Sequence, residues 1–89
     1  MNATDRPRLG KGVRLRRESD GSAMLLVPEG ALVLNAPAAV TLELIDGARS
    51  VGDIASAIVE RFDVTEERAR EDVCALLQRL ADRRLVETS

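Results

Sequence analysis

The chain has 89 residues, no histidine, one cysteine, a single aromatic side chain and a net charge of −2. That length supports one domain burying roughly 60 to 65 % of its unfolded surface, enough for a core but not for a deep enclosed active site. Without histidine there is no Ser-His or Cys-His nucleophile pair and no imidazole base or metal ligand, and Cys74 alone makes neither an internal disulfide nor a cysteine metal cluster. The composition speaks for a surface that binds, without a cofactor, and against an enzyme.

Residues 1–17 carry six basic side chains (Arg6, Arg8, Lys11, Arg14, Arg16, Arg17) against Asp5, a local charge of +5 that leaves −7 for the rest. An acidic body repels a phosphate backbone, so no nucleic-acid partner is expected. No segment reads as a signal peptide and no apolar run approaches the roughly 20 residues of a membrane span, which points to a cytoplasmic protein with no membrane partner. Residues 1–8, polar around Pro7, read as a flexible basic arm. Residues 9–88 form a single domain.

Val13 and Leu15 alternate with Arg14 and Arg16, the pattern of a strand with one apolar and one charged face, and Ser19-Asp20-Gly21-Ser22 supplies a turn. Two further strands, Ala23 to Val27 and Ala31 to Leu34, flank Pro28-Glu29-Gly30. Pro28 suits the first corner of a turn, and Gly30 the positive φ that closes a three-residue connection. Both strands are apolar at every step, whereas a strand with one wet face alternates, so both faces of this hairpin should be covered. The result is a three-stranded meander with unlike edges. Arginines protect the first strand, while the third has neither charge nor proline, and its edge is open.

Asn35 is placed to cap a first helix, with Pro37 in its first turn and Gly47 at its end; a strand through Val40, Leu42 and Leu44 is the rival reading. Helix two follows Ser50, which forms a capping box with Asp53, and sets Val51, Ile54, Ala55, Ile58, Val59 and Phe62 on one face. Helix three starts at a Thr65 cap, with Glu66 and Glu67 at its positive end and a stripe of Ala69, Val73, Leu76, Leu77 and Leu80. Glu66 with Arg70 and Arg68 with Asp72 make i, i+4 pairs, which accounts for this acidic cluster as a solvated face. At 100° per residue the stripe has Asp72, Arg79 and Arg83 on one flank, and Cys74, Leu77 and Ala81 with Arg70 on the other. The second flank is the expected floor of a groove.

Val13-Arg14-Leu15-Arg16, Leu25-Leu26-Val27-Pro28-Glu29-Gly30, Leu32-Val33-Leu34-Asn35, Leu42-Glu43-Leu44 with Asp46-Gly47, Asp72-Val73 and Leu85-Val86 together resemble the PqqD family, in order over nearly the whole chain. Arg84 stands where the family often has Gly, which implies a different end to helix three. Ala23 and Met24 stand where an aromatic is common. The resemblance implies an α+β, winged-helix-like fold, a three-stranded antiparallel sheet followed by a three-helix bundle. It also implies the role of a peptide chaperone: a recognition element that binds a ribosomally made precursor (PqqA-like) and presents it to a radical S-adenosylmethionine enzyme (PqqE-like) in pyrroloquinoline quinone biosynthesis.

The open edge and the family resemblance both imply strand addition. The precursor would pair along Leu32, Val33 and Leu34, with alternate side chains entering pockets lined by Leu32, Leu34, Val73, Cys74, Leu77 and Ala81. The enzyme partner is expected on the opposite sheet face, at Arg14, Arg16 and Arg17. A second copy of the chain, through the open edge or the arm, would satisfy the same backbone groups as a homodimer. The alternative is a winged-helix DNA-binding regulator, against which helix three opens with Glu66-Glu67, not with base-reading side chains.

Overall fold

The computed structural model of the chain describes residues 1–20 and 22–88. In chain order the elements are β1 (Pro7–Leu9), β2 (Arg14–Arg17), β3 (Ala23–Val27), β4 (Gly30–Leu34), α1 (Ala36–Leu44), α2 (Val51–Arg61), α3 (Glu66–Asp82) and β5 (Val86–Thr88). β2, β3 and β4 form the antiparallel meander with β3 in the centre, and β1 pairs with β5 in a separate two-stranded ribbon. The expected α+β architecture is present, with the ribbon added to it.

Local chemistry explains the element ends. Asp20 closes the turn before β3 by accepting the Ser22 N–H at 3.0 Å and the Ser22 hydroxyl at 2.7 Å, bonds that hold its carboxyl below the usual range. Gly21 of the expected turn lies outside the described residues. Between β3 and β4 the connection is Pro28-Glu29 alone. Gly30 is already the first residue of β4, at φ 150°, so the turn is one residue shorter than the sequence suggests.

Asn35 Oδ1 accepts the Ala38 N–H at 2.9 Å and starts α1, which excludes the rival strand. The helix stops at Leu44, ahead of Gly47, where Ile45 turns extended and inserts into the core. The Ser50–Asp53 capping box of α2 and the Thr65 cap of α3 are both made.

α1 lies across the inner side of β2 and β3, and α2 and α3 pack side by side beneath it. Leu25, Leu42, Ile54, Leu77 and Val51 are fully buried, each adding on the order of 1.5 to 3 kcal/mol by leaving water. Thr41, a buried polar side chain, donates its hydroxyl to the Pro37 carbonyl at 2.8 Å. The inner face carries Leu15, Leu25, Leu32 and Leu34. The outer face, Arg14, Arg16, Met24, Leu26, Ala31 and Val33 by register, is covered by no helix among the described residues, and Val33 is 80 % exposed. One face of the hairpin is therefore covered, not both. One layer of helices reaches one side of a sheet.

The N-terminal segment is the other departure. Instead of extending as an arm, it runs along the start of α2: the Val51 N–H bonds the Asp5 carbonyl and the Gly52 N–H the Ala3 carbonyl, each at 2.9 Å. These are amides that a helix N-terminus leaves without intrahelical partners, and the segment satisfies them. Pro7 is fully buried, β1 pairs residue for residue with β5, and Gly10 donates to the Leu85 carbonyl at 2.7 Å.

α3 ends in a Schellman turn. The Leu85 N–H reaches the Leu80 carbonyl at 2.8 Å and the Arg84 N–H the Ala81 carbonyl at 2.9 Å, with Arg84 at φ 61°. The left-handed position that suits glycine is thus occupied by arginine, and the helix end forms despite the substitution.

Candidate functional site

The ladder of β3 and β4 determines which backbone groups are free. Val27 pairs with Gly30 across the two-residue turn, and such a closing pair exchanges hydrogen bonds. Bonded and non-bonded pairs then alternate, so Gly30, Leu32 and Leu34 direct their N–H and C=O groups to β3, and Ala31 and Val33 direct theirs away from it. Counting from the other hairpin agrees: the Glu18 N–H bonds the Ser22 carbonyl at 2.9 Å, which assigns Met24 and Leu26 to β2 and leaves Ala23, Leu25 and Val27 for β4. Among the described residues no strand takes the outward groups of Ala31 and Val33.

At the Asn35 end of this edge opens a cavity of about 360 Å³. Asn35, Pro37, Ala38 and Thr41 form one wall, Ile58, Phe62 and Val64 the end, and Ala69, Asp72, Val73, Ala75, Leu76 and Arg79 the wall from α3. The hairpin tip marks the other end of the groove, where Arg83 lies 3.6 Å from Glu29. β4 and α3 therefore face each other in opposite directions, with Gly30 toward Arg83 and Asn35 toward Asp72.

This places the flank of α3 bearing Asp72, Leu76, Arg79 and Arg83 on the groove, not the flank of Cys74. Of the residues expected in the pockets, Val73 lines the cavity, Leu32 and Leu34 are half-buried against the core, and Leu77 is sealed within it. Cys74 and Ala81 lie on the far flank, where the Cys74 thiol meets the Met1 carbonyl at 3.6 Å and the Met1 ammonium donates to Gln78 Oε1 at 3.0 Å. Met1 stands on the side expected to floor the groove, where Glu66, Glu67, Arg70, Glu71 and Cys74 line a separate open depression. Leu76, Arg79, Phe62, Val64 and Thr41 are the lining residues the sequence reading missed. Both flanks border the same apolar stripe, and periodicity alone does not distinguish them.

The arginines assigned to an enzyme partner divide. Arg14 and Arg16 stand on the outer sheet face beside Met24 and Leu26, with Arg16 3.1 Å from Glu18. Arg17 faces the other way and donates from Nε to Glu43 of α1 at 2.7 Å, a bond that raises its pKa. No helix is long and apolar enough to cross a membrane, and no cluster of metal-ligating side chains occurs, among the described residues.

A family model described as coenzyme PQQ synthesis protein D (PqqD) matches residues 22–86. The PqqA binding protein of Rhizobium meliloti is 36 % identical over 90 % of this chain and 83 % of its own length. That of Azotobacter vinelandii is 37 % identical over 93 % and 90 %. The solution structure of the PqqD truncation of Methylobacterium extorquens PqqCD, described as a functional, stand-alone RiPP recognition element, superposes with a TM-score of 0.82 at 33 % identity, covering 98 % of this chain and 94 % of that one. TbiB1, solved with the TbiA(beta) leader peptide, shares the fold at a TM-score of 0.76 and 22 % identity, covering 90 % of this chain and 94 % of its own.

Proposed function

Because the chain belongs to the PqqD family, we propose that it binds a ribosomally made precursor peptide of the PqqA kind and presents it to a radical S-adenosylmethionine enzyme of the PqqE kind in pyrroloquinoline quinone biosynthesis. The observation that carries this reading is the free edge of β4 with a cavity at its end. An extended peptide laid on that edge takes the outward N–H and C=O groups of Ala31 and Val33, and its alternate side chains point between Leu32, Leu34 and α3. Main-chain bonds supply affinity, and the cavity beside Val73 and Leu76 supplies selectivity. The module holds the peptide and leaves the chemistry to its cytoplasmic partner.

The enzyme docks on the outer sheet face, where Met24, Leu26 and the exposed Val33 form an apolar surface margined by Arg14 and Arg16. Arg17 joins that contact only by leaving Glu43. In the absence of peptide the β4 edge is also open to a second copy, so a dimer formed at high concentration dissociates when peptide is added.

Amide NMR titration with synthetic PqqA tests the reading. Saturable shifts are expected at residues 30–35 and along α3, and Val33→Pro, which removes an outward N–H, should abolish them while leaving the core resonances in place. Absence of shifts in the wild-type protein at high peptide concentration overturns it. For presentation, the pair Arg14→Glu and Arg16→Glu should reduce peptide modification by a PqqE-type enzyme.

A further inference from the structure

The groove-facing ridge of α3 is electrically uneven. Asp72 is neutralised by Arg68 at 3.3 Å. Four and seven residues on stand Leu76 and Arg79, and Arg79, exposed at the cavity wall, has no carboxylate within ion-pair distance among the described residues. Arg83 has only the long contact to Glu29, whose side chain is 81 % exposed. The groove therefore runs from an apolar end at Phe62, Val64 and Leu76 to a cationic end at Arg79 and Arg83, within a body that is otherwise acidic.

A guanidinium without a partner at the wall of a binding cavity is a preformed carboxylate site, since its planar fork bonds a carboxylate in two places. We infer that Arg79 is a specificity-determining residue that pairs with an acidic side chain of the bound peptide, while an apolar side chain of the same peptide fills the cavity beside Leu76 and Phe62. The two peptide residues lie two positions apart. Alternate residues of an extended strand share a face and are separated by roughly 6.5 Å, and the ridge advances ~4.5 Å from Leu76 to Arg79 with the arginine side chain spanning the rest. This inference rests on the proposed peptide binding and adds which chemistry the peptide presents.

The test uses the full chain and synthetic PqqA, with affinities measured by calorimetry at low salt. Arg79→Gln should weaken binding about tenfold, the size expected for one charge-assisted hydrogen bond, and Arg70→Gln on the opposite flank should change nothing. Each Asp and Glu of the peptide is then replaced in turn by Asn or Gln. One replacement should weaken binding to the wild-type protein to the same extent and have no further effect on Arg79→Gln. Equal affinities of wild type and Arg79→Gln, with Val33→Pro still abolishing binding, overturn the role of Arg79 and leave peptide binding standing. A wild-type protein that binds no PqqA overturns both.

Discussion

The two flanks of α3 border one apolar stripe yet meet opposite fates. Asp72, Leu76 and Arg79 face an open groove, while Cys74 and Gln78 are met by Met1 at the start of the chain. The difference does not come from the helix. It arises because β1 pairs with β5 at the end of α3, and the segment before β1 then runs over α2 toward Cys74. One end of the chain meets one flank at Cys74 and Gln78, and the other flank is beside the free strand edge.

Gly10→Ala should disturb the β1–β5 pairing most. A Cβ there would stand 2.7 Å from the Arg84 carbonyl oxygen and 3.0 Å from that of Leu85, both backbone atoms, so the ribbon must separate. A loss of about 2 to 3 kcal/mol is expected in urea unfolding, typical of overpacking at a rigid site. Deleting residues 1–6 removes the partners of the Val51 and Gly52 amides, about 2 kcal/mol at roughly 1 kcal/mol per hydrogen bond. It should also quicken the reaction of Cys74 with a thiol reagent, without weakening peptide binding.

Leu76→Ala and Cys74→Ala probe one flank each. The first should cost about 1 kcal/mol of peptide binding, roughly fivefold in Kd by calorimetry, and the second nothing. Arg84→Gly should raise stability by about 1 kcal/mol, because the left-handed conformation at φ 61° strains any residue with a Cβ.

The smallest effect is electrostatic. Asp46 accepts the Ala48 and Arg49 N–H groups at 2.9 Å each, as well as the Arg49 guanidinium, and these bonds hold its pKa below the usual value. A carboxyl depressed in the folded state stabilises above its unfolded pKa of about 3.9, and the contribution is lost as pH falls through the lower folded value. Melting temperatures recorded from about pH 5 to about pH 2 should fall less steeply for Asp46→Asn than for the wild type.

What the sequence determined by itself is local. Caps at Asn35, Ser50 and Thr65, the turn residues between strands, and the period of the apolar positions depend on neighbours within a few residues, and the helices, the meander and its uncharged edge follow from them. The family resemblance was legible for the same reason, since it is carried by short runs in fixed order. Tertiary structure alone decided which flank of α3 borders the groove, that no helix covers the outer sheet face among the described residues, and that Ala3 and Asp5 cap α2 while Pro7 and Arg8 pair with β5. The N-terminal contacts join groups distant in the chain, Met1 with Gln78 or Pro7 with Thr88, and polar residues around one proline carry no periodicity that announces a partner so remote. Backbone hydrogen bonding, which any residue but proline can offer in full, chose the flank.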